Sequence, residues 1–279
     1  MFAFLSNFLQ KNKIELFAPL PLSECRVQKP YLLEREGISD GTAVILAAPY
    51  FSPACLDPDR NVSAYAVSRD YHAFYQELFA QLLPLLREKY PQYRFAGFAD
   101  HSPIAEVEAA ARAGLGVIGK NNLLITPQYS SYVFLATVFT DAKLPCSPSE
   151  IQSCMGCGAC QRLCPAGEES LCHSALTQKK GVLTDEEKAC LLDRGMAWGC
   201  DGCQEACPHT KEAIQKKTIF SPIPFFNEHL VPHLTSDVLE KMSEEEFSKR
   251  AYAWRKRETI QRNLQLLEAN GKEKPLCSD

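Results

Sequence analysis

Residues 154–164 read C-M-G-C-G-A-C-Q-R-L-C before Pro165, and residues 199–207 read G-C-D-G-C-Q-E-A-C before Pro208. With Cys172 between them, these blocks hold eight of the thirteen cysteines in the 279-residue chain. Cys154, Cys157, Cys160 and Cys164 follow the C-x2-C-x2-C-x3-C-P spacing of two-cluster ferredoxins, in which the fourth thiolate ligates the neighbouring cluster. Each [4Fe–4S] cluster takes four thiolates. The crossed arrangement therefore gives Cys154, Cys157, Cys160 and Cys207 to one cluster. Cys164, Cys200 and Cys203 begin the other, and Cys172 and Cys190 are the two candidates to complete it. A zinc site would ask for four ligands in two C-x2-C pairs, which the C-x3-C-P endings do not match. A disulfide framework would ask for an oxidising compartment.

The rest of the composition agrees with clusters in a reducing cytoplasm. Hydrophobic residues make up 46% of the chain, enough for one large domain or two small ones. The net charge is −4, so any contact with nucleic acid must come from a local patch. The N-terminal M-F-A-F-L-S-N-F-L-Q-K lacks a basic start and a cleavage site, and reads as an amphipathic helix. No apolar run reaches the roughly 20 residues of a membrane span.

Upstream of the cysteines, residues 1–40 read as helices at both ends with a loop at Pro19 and Pro21. Thr42 to Pro49 (T-A-V-I-L-A-A-P) reads as a buried strand. A loop follows over 51–63, then a helix from Tyr65 to Lys89 that Pro84 should kink or split. Arg94 to Ala99 is a second strand. Ser102 can cap the next helix, with Pro103 at its first position and Gly114 at its end. Ser131 to Thr140 is a third strand, so an α/β or α+β domain precedes the clusters. Thr184 and Glu187 form a capping box for a helix ending before Gly195, and Ser243 and Glu246 begin a helical segment running through Trp254 to Leu267.

Four features outside the cysteines suggest chemistry. Asp100 stands where a strand gives way to a helix, a position that carries function in many folds and that an ordinary capping Asp also takes. Asp70-Tyr71-His72 opens the long helix, where a His is more commonly a cap than a ligand. Gly114, Gly116 and Gly119 spell a dinucleotide fingerprint in the wrong context, since a helix precedes them, and a tight turn beside another bulky group suits them better. Residues 249–262 set six basic side chains against Glu258, a local charge of +5, which is either a solvated helix face or a phosphate contact.

In order, the D-Y-H element, F-A-D-H-S-P-I-A-E (98–106), A-G-L-G-V-I-G-K-N (113–121), both cysteine blocks and R-K-R-E-T-I-Q-R-N (255–263) resemble the epoxyqueuosine reductase family. The resemblance implies an α+β protein with three parts. Residues 1–145 would form a cobalamin-binding, catalytic α/β domain like that of reductive dehalogenases. Residues 146–215 would form a ferredoxin-like double-cluster module, and 216–279 a short helical C-terminus. The implied activity is two-electron reduction of epoxyqueuosine to queuosine in tRNA, by a monomer served by a low-potential electron donor. The nearest alternatives are a cobalamin-dependent reductase or dehalogenase of a small molecule, and an electron-transfer protein without corrin. By position, Asp100 matches the family's proton donor, and Cys172, in C-H-S-A-L-T-Q-K-K-G, its remaining cluster ligand. Tyr71, His72, Lys120, Asn121 and Leu124 match cobalamin-proximal positions, and Asp201 and Gly202 the turn between cluster ligands. The family's C-terminal helical repeats, which help hold tRNA, would begin where this sequence stops.

Overall fold

The computed structural model describes residues 1–164 and 172–273. The chain divides into two compact units, one built from Met1–Phe51, Tyr71–Gly158 and Cys207–Pro224, the other from Ser52–Asp70, Ala159–Ala206 and Phe225–Asp279.

The first unit is organised by β2 (Thr42–Pro49), whose eight residues are all buried. A strand covered on both faces has no polar positions to spare, which is why its sequence is a continuous apolar run. It pairs with β6 (Val133–Thr140), from Thr42 opposite Thr140 to Pro49 opposite Val133. β1 (Leu16–Pro21) and β3 (Phe95–Ala99) complete an antiparallel sheet in the order β1-β2-β6-β3. Strand, helix, strand in sequence admits a parallel or an antiparallel sheet, and the observed register makes this unit α+β.

Side chains alternate between the two faces of each strand. On one face Ala43, Ile45, Ala47 and Ala96 join a core with Ala109, Ala110 and Ala111 of the helix Glu106–Arg112, whose small residues let it lie close. On the other, the helix Tyr71–Lys89 covers β3, and a Cβ on Gly97 would come within 2.7 Å of the Phe79 ring.

Several local expectations change. Pro19 and Pro21 lie in β1 rather than in a loop, at the sheet edge where a missing amide is tolerated. Pro84 sits inside a continuous helix, and the break falls earlier, between the helices Ala64–Val67 and Tyr71–Lys89. Ser102 caps nothing: the helix begins at Glu106 behind Ala105, and the Ser102 hydroxyl accepts from the Ile104 amide at 3.5 Å.

In the second unit, the helix Asp185–Arg194 has both arms of the Thr184–Glu187 capping box and ends at Gly195 with φ 66°, as its local signals predict. Ser243 and Glu246 also form a capping box, but that helix stops at Ser248. A separate helix runs over Arg257–Glu273 after Lys256, whose φ of 67° interrupts the segment. Buried Asn263 donates from Nδ2 to the carbonyls of Thr177 (2.7 Å) and Ala197 (2.9 Å), fixing the last helix to both segments. Among the described residues no helix is long and apolar enough to cross a membrane.

Candidate active site and cysteine loops

Asp100 follows the last residue of β3 and takes φ 62°, a left-handed conformation that Asp and Asn accept more readily than most side chains. Its carbonyl accepts the Ser102 amide at 2.9 Å, and the Ala99 carbonyl accepts the His101 amide at 2.7 Å, so the turn is closed by its own backbone. The carboxyl is 67% exposed, with His72 Nε2 3.6 Å from Oδ2. That is longer than a hydrogen bond yet close enough for a protonated imidazole to act on the carboxylate. Two residues 28 positions apart by number, both singled out by sequence, thus meet.

The neighbouring wall is aromatic. Tyr71 stacks on Phe134 with centroids 4.1 Å apart and rings 9° from parallel, and Tyr50 stacks on Phe134 as well, also at 4.1 Å. The Tyr75 hydroxyl donates to the Phe134 carbonyl at 2.8 Å. At the rim, Lys29 Nζ lies 3.1 Å from Nδ1 of His101 and the Tyr31 hydroxyl 3.2 Å from its Nε2. Glu106, in the first turn of its helix, has an Oε1 sealed from solvent with no hydrogen-bond partner. Burial, then the nearby Asp100 charge, push its carboxyl up to about 8.

The glycine-rich segment is a hairpin, with β4 (Val117–Ile118) paired to β5 (Leu124–Ile125). A Cβ on Gly116 would meet the Ile125 carbonyl oxygen, so this glycine serves close backbone approach rather than a nucleotide, and no helix follows it. Lys120 and Asn121 stand at the tip, where the Asn121 side chain accepts the Leu123 amide at 3.3 Å. Leu124 is 3% exposed and packs into the sheet core. The hairpin also holds the first cysteine block: the Ile118 amide donates to Gln152 (2.9 Å), and the Cys154 amide to Ile118 (3.0 Å). The Gly156 amide, against opposing burial, and then the amide and ammonium of Lys120 hold the Cys154 thiol below its ordinary range.

Cys154, Cys157 and Cys207 belong to the first unit. Gly156 (φ 70°) and Gly158 (φ 71°) curl the loop that carries the first two, and Cys207 precedes the helix Pro208–Gln215. Cys160, Cys164, Cys172, Cys200 and Cys203 belong to the second unit. There the helix Ala159–Leu163, bearing Cys160, packs on the helix Gly202–Glu205, bearing Cys203. The Gly202 amide donates to Cys200 Sγ at 3.5 Å. Cys172 is exposed and acts electrostatically on Cys200, whose thiol is raised chiefly by burial. Cys190 instead packs against Leu176, Leu183 and Leu191 with Leu266 and Leu267. Cys277 lies outside the described residues.

Among the described residues no three His, Cys, Asp or Glu side chains converge as ligands of a single ion. A cubane makes a different demand, because each of its four irons takes one thiolate and the sulfurs stand apart around it. Backbone amides aimed at Cys154 and Cys200, in loops curled by left-handed glycines, fit that demand, since amide hydrogen bonds to sulfur are among the features that tune such clusters.

Asp201 braces the second loop. It is almost wholly buried, and its carboxylate accepts from Arg60 Nη1 and Ser63 Oγ (each 2.5 Å), the Ala64 amide (2.7 Å) and Gln204 Nε2 (3.2 Å). Arg60 also reaches Glu205 and the carbonyls of Cys55 and Val62. Sequence reasoning missed Arg60, whose partner lies 141 residues away and leaves no local signal. Arg60→Ala leaves a buried carboxylate without its cation and is expected to cost about 3–5 kcal/mol in denaturant unfolding. If Cys200 and Cys203 hold a cluster, its iron should be the first lost on mild heating.

The basic segment 249–262 proves largely structural. Arg250 donates to the His229 carbonyl at 2.6 Å, and Arg257 to those of Leu239 and Met242, each at 2.6 Å. Arg262 donates to the Lys179 carbonyl at 2.7 Å, and Lys249 pairs with Glu245. Counting charges cannot see carbonyl partners: of the six cations, which could have been a solvated face or a phosphate contact, Arg250, Arg257 and Arg262 bind carbonyls and Lys249 a carboxylate.

No family model matches the chain. An epoxyqueuosine reductase of Listeria monocytogenes is 33% identical over 222 residues, which are 75% of this chain and 57% of that protein. The chain thus spans little more than half the length of that curated relative. Among solved structures, an epoxyqueuosine reductase with an epoxyqueuosine-modified tRNA-Tyr stem loop superposes with a TM-score of 0.74 at 24% identity, covering 97% of this chain and 82% of the other. The Bacillus subtilis epoxyqueuosine reductase, with its aspartate catalytic loop swung out of the active site, gives 0.70 at 23% identity, covering 97% and 82%. The sequence match over three quarters of the chain, and a shared fold over nearly all of it, relate this protein to the epoxyqueuosine reductase family.

Proposed function

We propose that the chain is an oxidoreductase that removes the epoxide oxygen of epoxyqueuosine in tRNA, leaving the alkene of queuosine. The observation that carries this reading is Asp100, an exposed carboxyl on a backbone-closed turn, 3.6 Å from His72 and beside an aromatic wall. The reaction takes up two electrons and two protons and releases the oxygen as water. Cobalamin and two [4Fe–4S] clusters, when bound, supply the electrons at low potential.

The chain's own residues do the rest. Asp100 donates a proton to the departing oxygen, and His72 balances its charge. Tyr71, Phe134 and Tyr50 offer an apolar surface that keeps water from the reacting face. Lys120 and Asn121, at the tip of the hairpin bonded to the Cys154 loop, are the cofactor-facing positions this reading favours. Leu124, Asp201 and Gly202 act from behind by holding the backbone. Cys154, Cys157, Cys160 and Cys207 take one cluster, and Cys164, Cys172, Cys200 and Cys203 the other. The tRNA substrate is supported by the neighbour solved with a modified stem loop.

The test is anaerobic incubation of the reconstituted chain with an epoxyqueuosine-modified stem loop, cobalamin and a low-potential donor. The nucleoside is expected to lose one oxygen by mass. An unchanged nucleoside alongside dehalogenation of a small organohalide would reassign the chain to a small-molecule reductase.

A further inference from the structure

The second unit holds a cation with no part in the reaction so far. Arg194 is the last residue of the helix Asp185–Arg194. Its Nη2 donates to the Leu163 carbonyl, 31 residues back and next to Cys164, at 2.5 Å. Its Nη1 lies over the other cysteine loop. The point where a Cβ on Gly202 would stand is 3.4 Å from that nitrogen, 3.7 Å from Cys200 Sγ and 3.9 Å from the Leu163 carbonyl oxygen. Cation and sulfur are therefore no more than about 7 Å apart. The Arg194 Nε is sealed from solvent without a hydrogen-bond partner. Among the described residues no carboxylate pairs with Arg194, and the acids of the adjoining loop, Asp201 and Glu205, are taken by Arg60.

We propose that Arg194 sets the reduction potential of the second cluster, the one given to Cys164, Cys172, Cys200 and Cys203; the inference rests on that ligand reading. A guanidinium stays charged at every pH the protein meets. A cubane on four thiolates is an anion, and reduction adds an electron and no proton, so its negative charge grows. Net charge and hydrogen bonding at the sulfurs are among the features that fix such potentials. A permanent cation within about 7 Å of a ligand sulfur therefore favours the reduced form. The lack of a paired carboxylate matters, because such a partner would cancel most of the field. A cation that served only the end of its own helix would bond that helix's last carbonyls, whereas this one bonds the end of the helix Ala159–Leu163. An electron donor of given strength thus fills this cluster more completely than it would without Arg194.

The experiment is a redox titration of the anaerobically purified chain, followed by electron paramagnetic resonance, without cobalamin or stem loop. In Arg194→Gln one of the two cluster midpoints should fall by about 59 mV, a tenfold change in a one-electron equilibrium, with the other unmoved. Arg194→Lys keeps the charge but loses the fork, and should hold the wild-type midpoint. In a Cys172→Ser background, which keeps the first cluster alone, Arg194→Gln should shift nothing. Should Arg194→Gln shed iron, Arg194→Lys decides alone: a wild-type midpoint supports the charge, and a fallen one overturns it. Unmoved midpoints in Arg194→Gln, an equal fall in Arg194→Lys, or a shift that survives Cys172→Ser overturns the proposal. About four irons in the wild type, instead of about eight, would refute the ligand reading and the proposal with it. The expected shifts in a chain inert on the stem loop would refute the functional reading alone, because the midpoints are read without substrate.

Discussion

Cys172→Ser, purified without oxygen, is expected to carry about half the iron of the wild type, while Cys190→Ser keeps all of it. Two cubanes on eight thiolates give about eight irons per chain, and removing one ligand from the second cluster should release about four. Spacing alone leaves Cys172 and Cys190 as equal candidates for the eighth position. Their surroundings separate them. Cys172 is exposed and close enough to influence Cys200, a proposed ligand of the same cluster. Cys190 is engaged with leucines of an apolar cluster, where serine would cost packing but no metal. Turnover should fall at least a hundredfold in Cys172→Ser, since a chain with one cluster cannot complete the electron supply. Iron loss from Cys190→Ser with full iron in Cys172→Ser would reverse the assignment.

Asp100→Asn is expected to lose about 10²- to 10⁴-fold in turnover, the range for removing a positioned general acid, with iron, cobalamin binding and melting temperature unchanged. Stability should hold because Asn is the side chain best able to replace Asp at a φ of 62°. No helix cap is lost either, since the following helix begins at Glu106 behind Ala105. Asp100→Ala is the contrasting variant: equally inactive, but less stable for want of a side chain suited to the left-handed turn. Full activity in Asp100→Asn would remove this residue from the mechanism.

What could be read from sequence was whatever a short window encodes. Thr42–Pro49 announced a strand buried on both faces by being apolar throughout, and Thr184, Glu187 and Gly195 marked both ends of their helix within a dozen residues. Asp100 was visible because a strand ends there. Features set by distant partners were not. Pro19 and Pro21 read as a loop because their neighbour in space, β2, is remote in sequence, and only an edge position makes a strand of them. Arg60 carried no mark of Asp201. The cations of 249–262 looked available because the carbonyls that bind Arg250, Arg257 and Arg262 cannot be read from side-chain composition. Glu106 was quoted within a motif but passed over, since an unpartnered oxygen is a property of packing.

The two prolines of β1 bear on how the protein behaves in a crowded solution. A sheet edge displays unpaired amides that can recruit a strand from another molecule, the first step of aggregation. Proline has no amide to give to β2, so positions 19 and 21 fit the outward-directed register, alternate with Leu20, which faces the ladder. Of the outward positions 17, 19 and 21, only Phe17 then retains a donor. With two of its three outward donors missing, the edge next to the most apolar strand of the unit is a poor template for an intermolecular ladder. If the proposed clusters are present, a chain waiting partly assembled for iron and sulfide would be protected against the strand-to-strand association that such a delay invites.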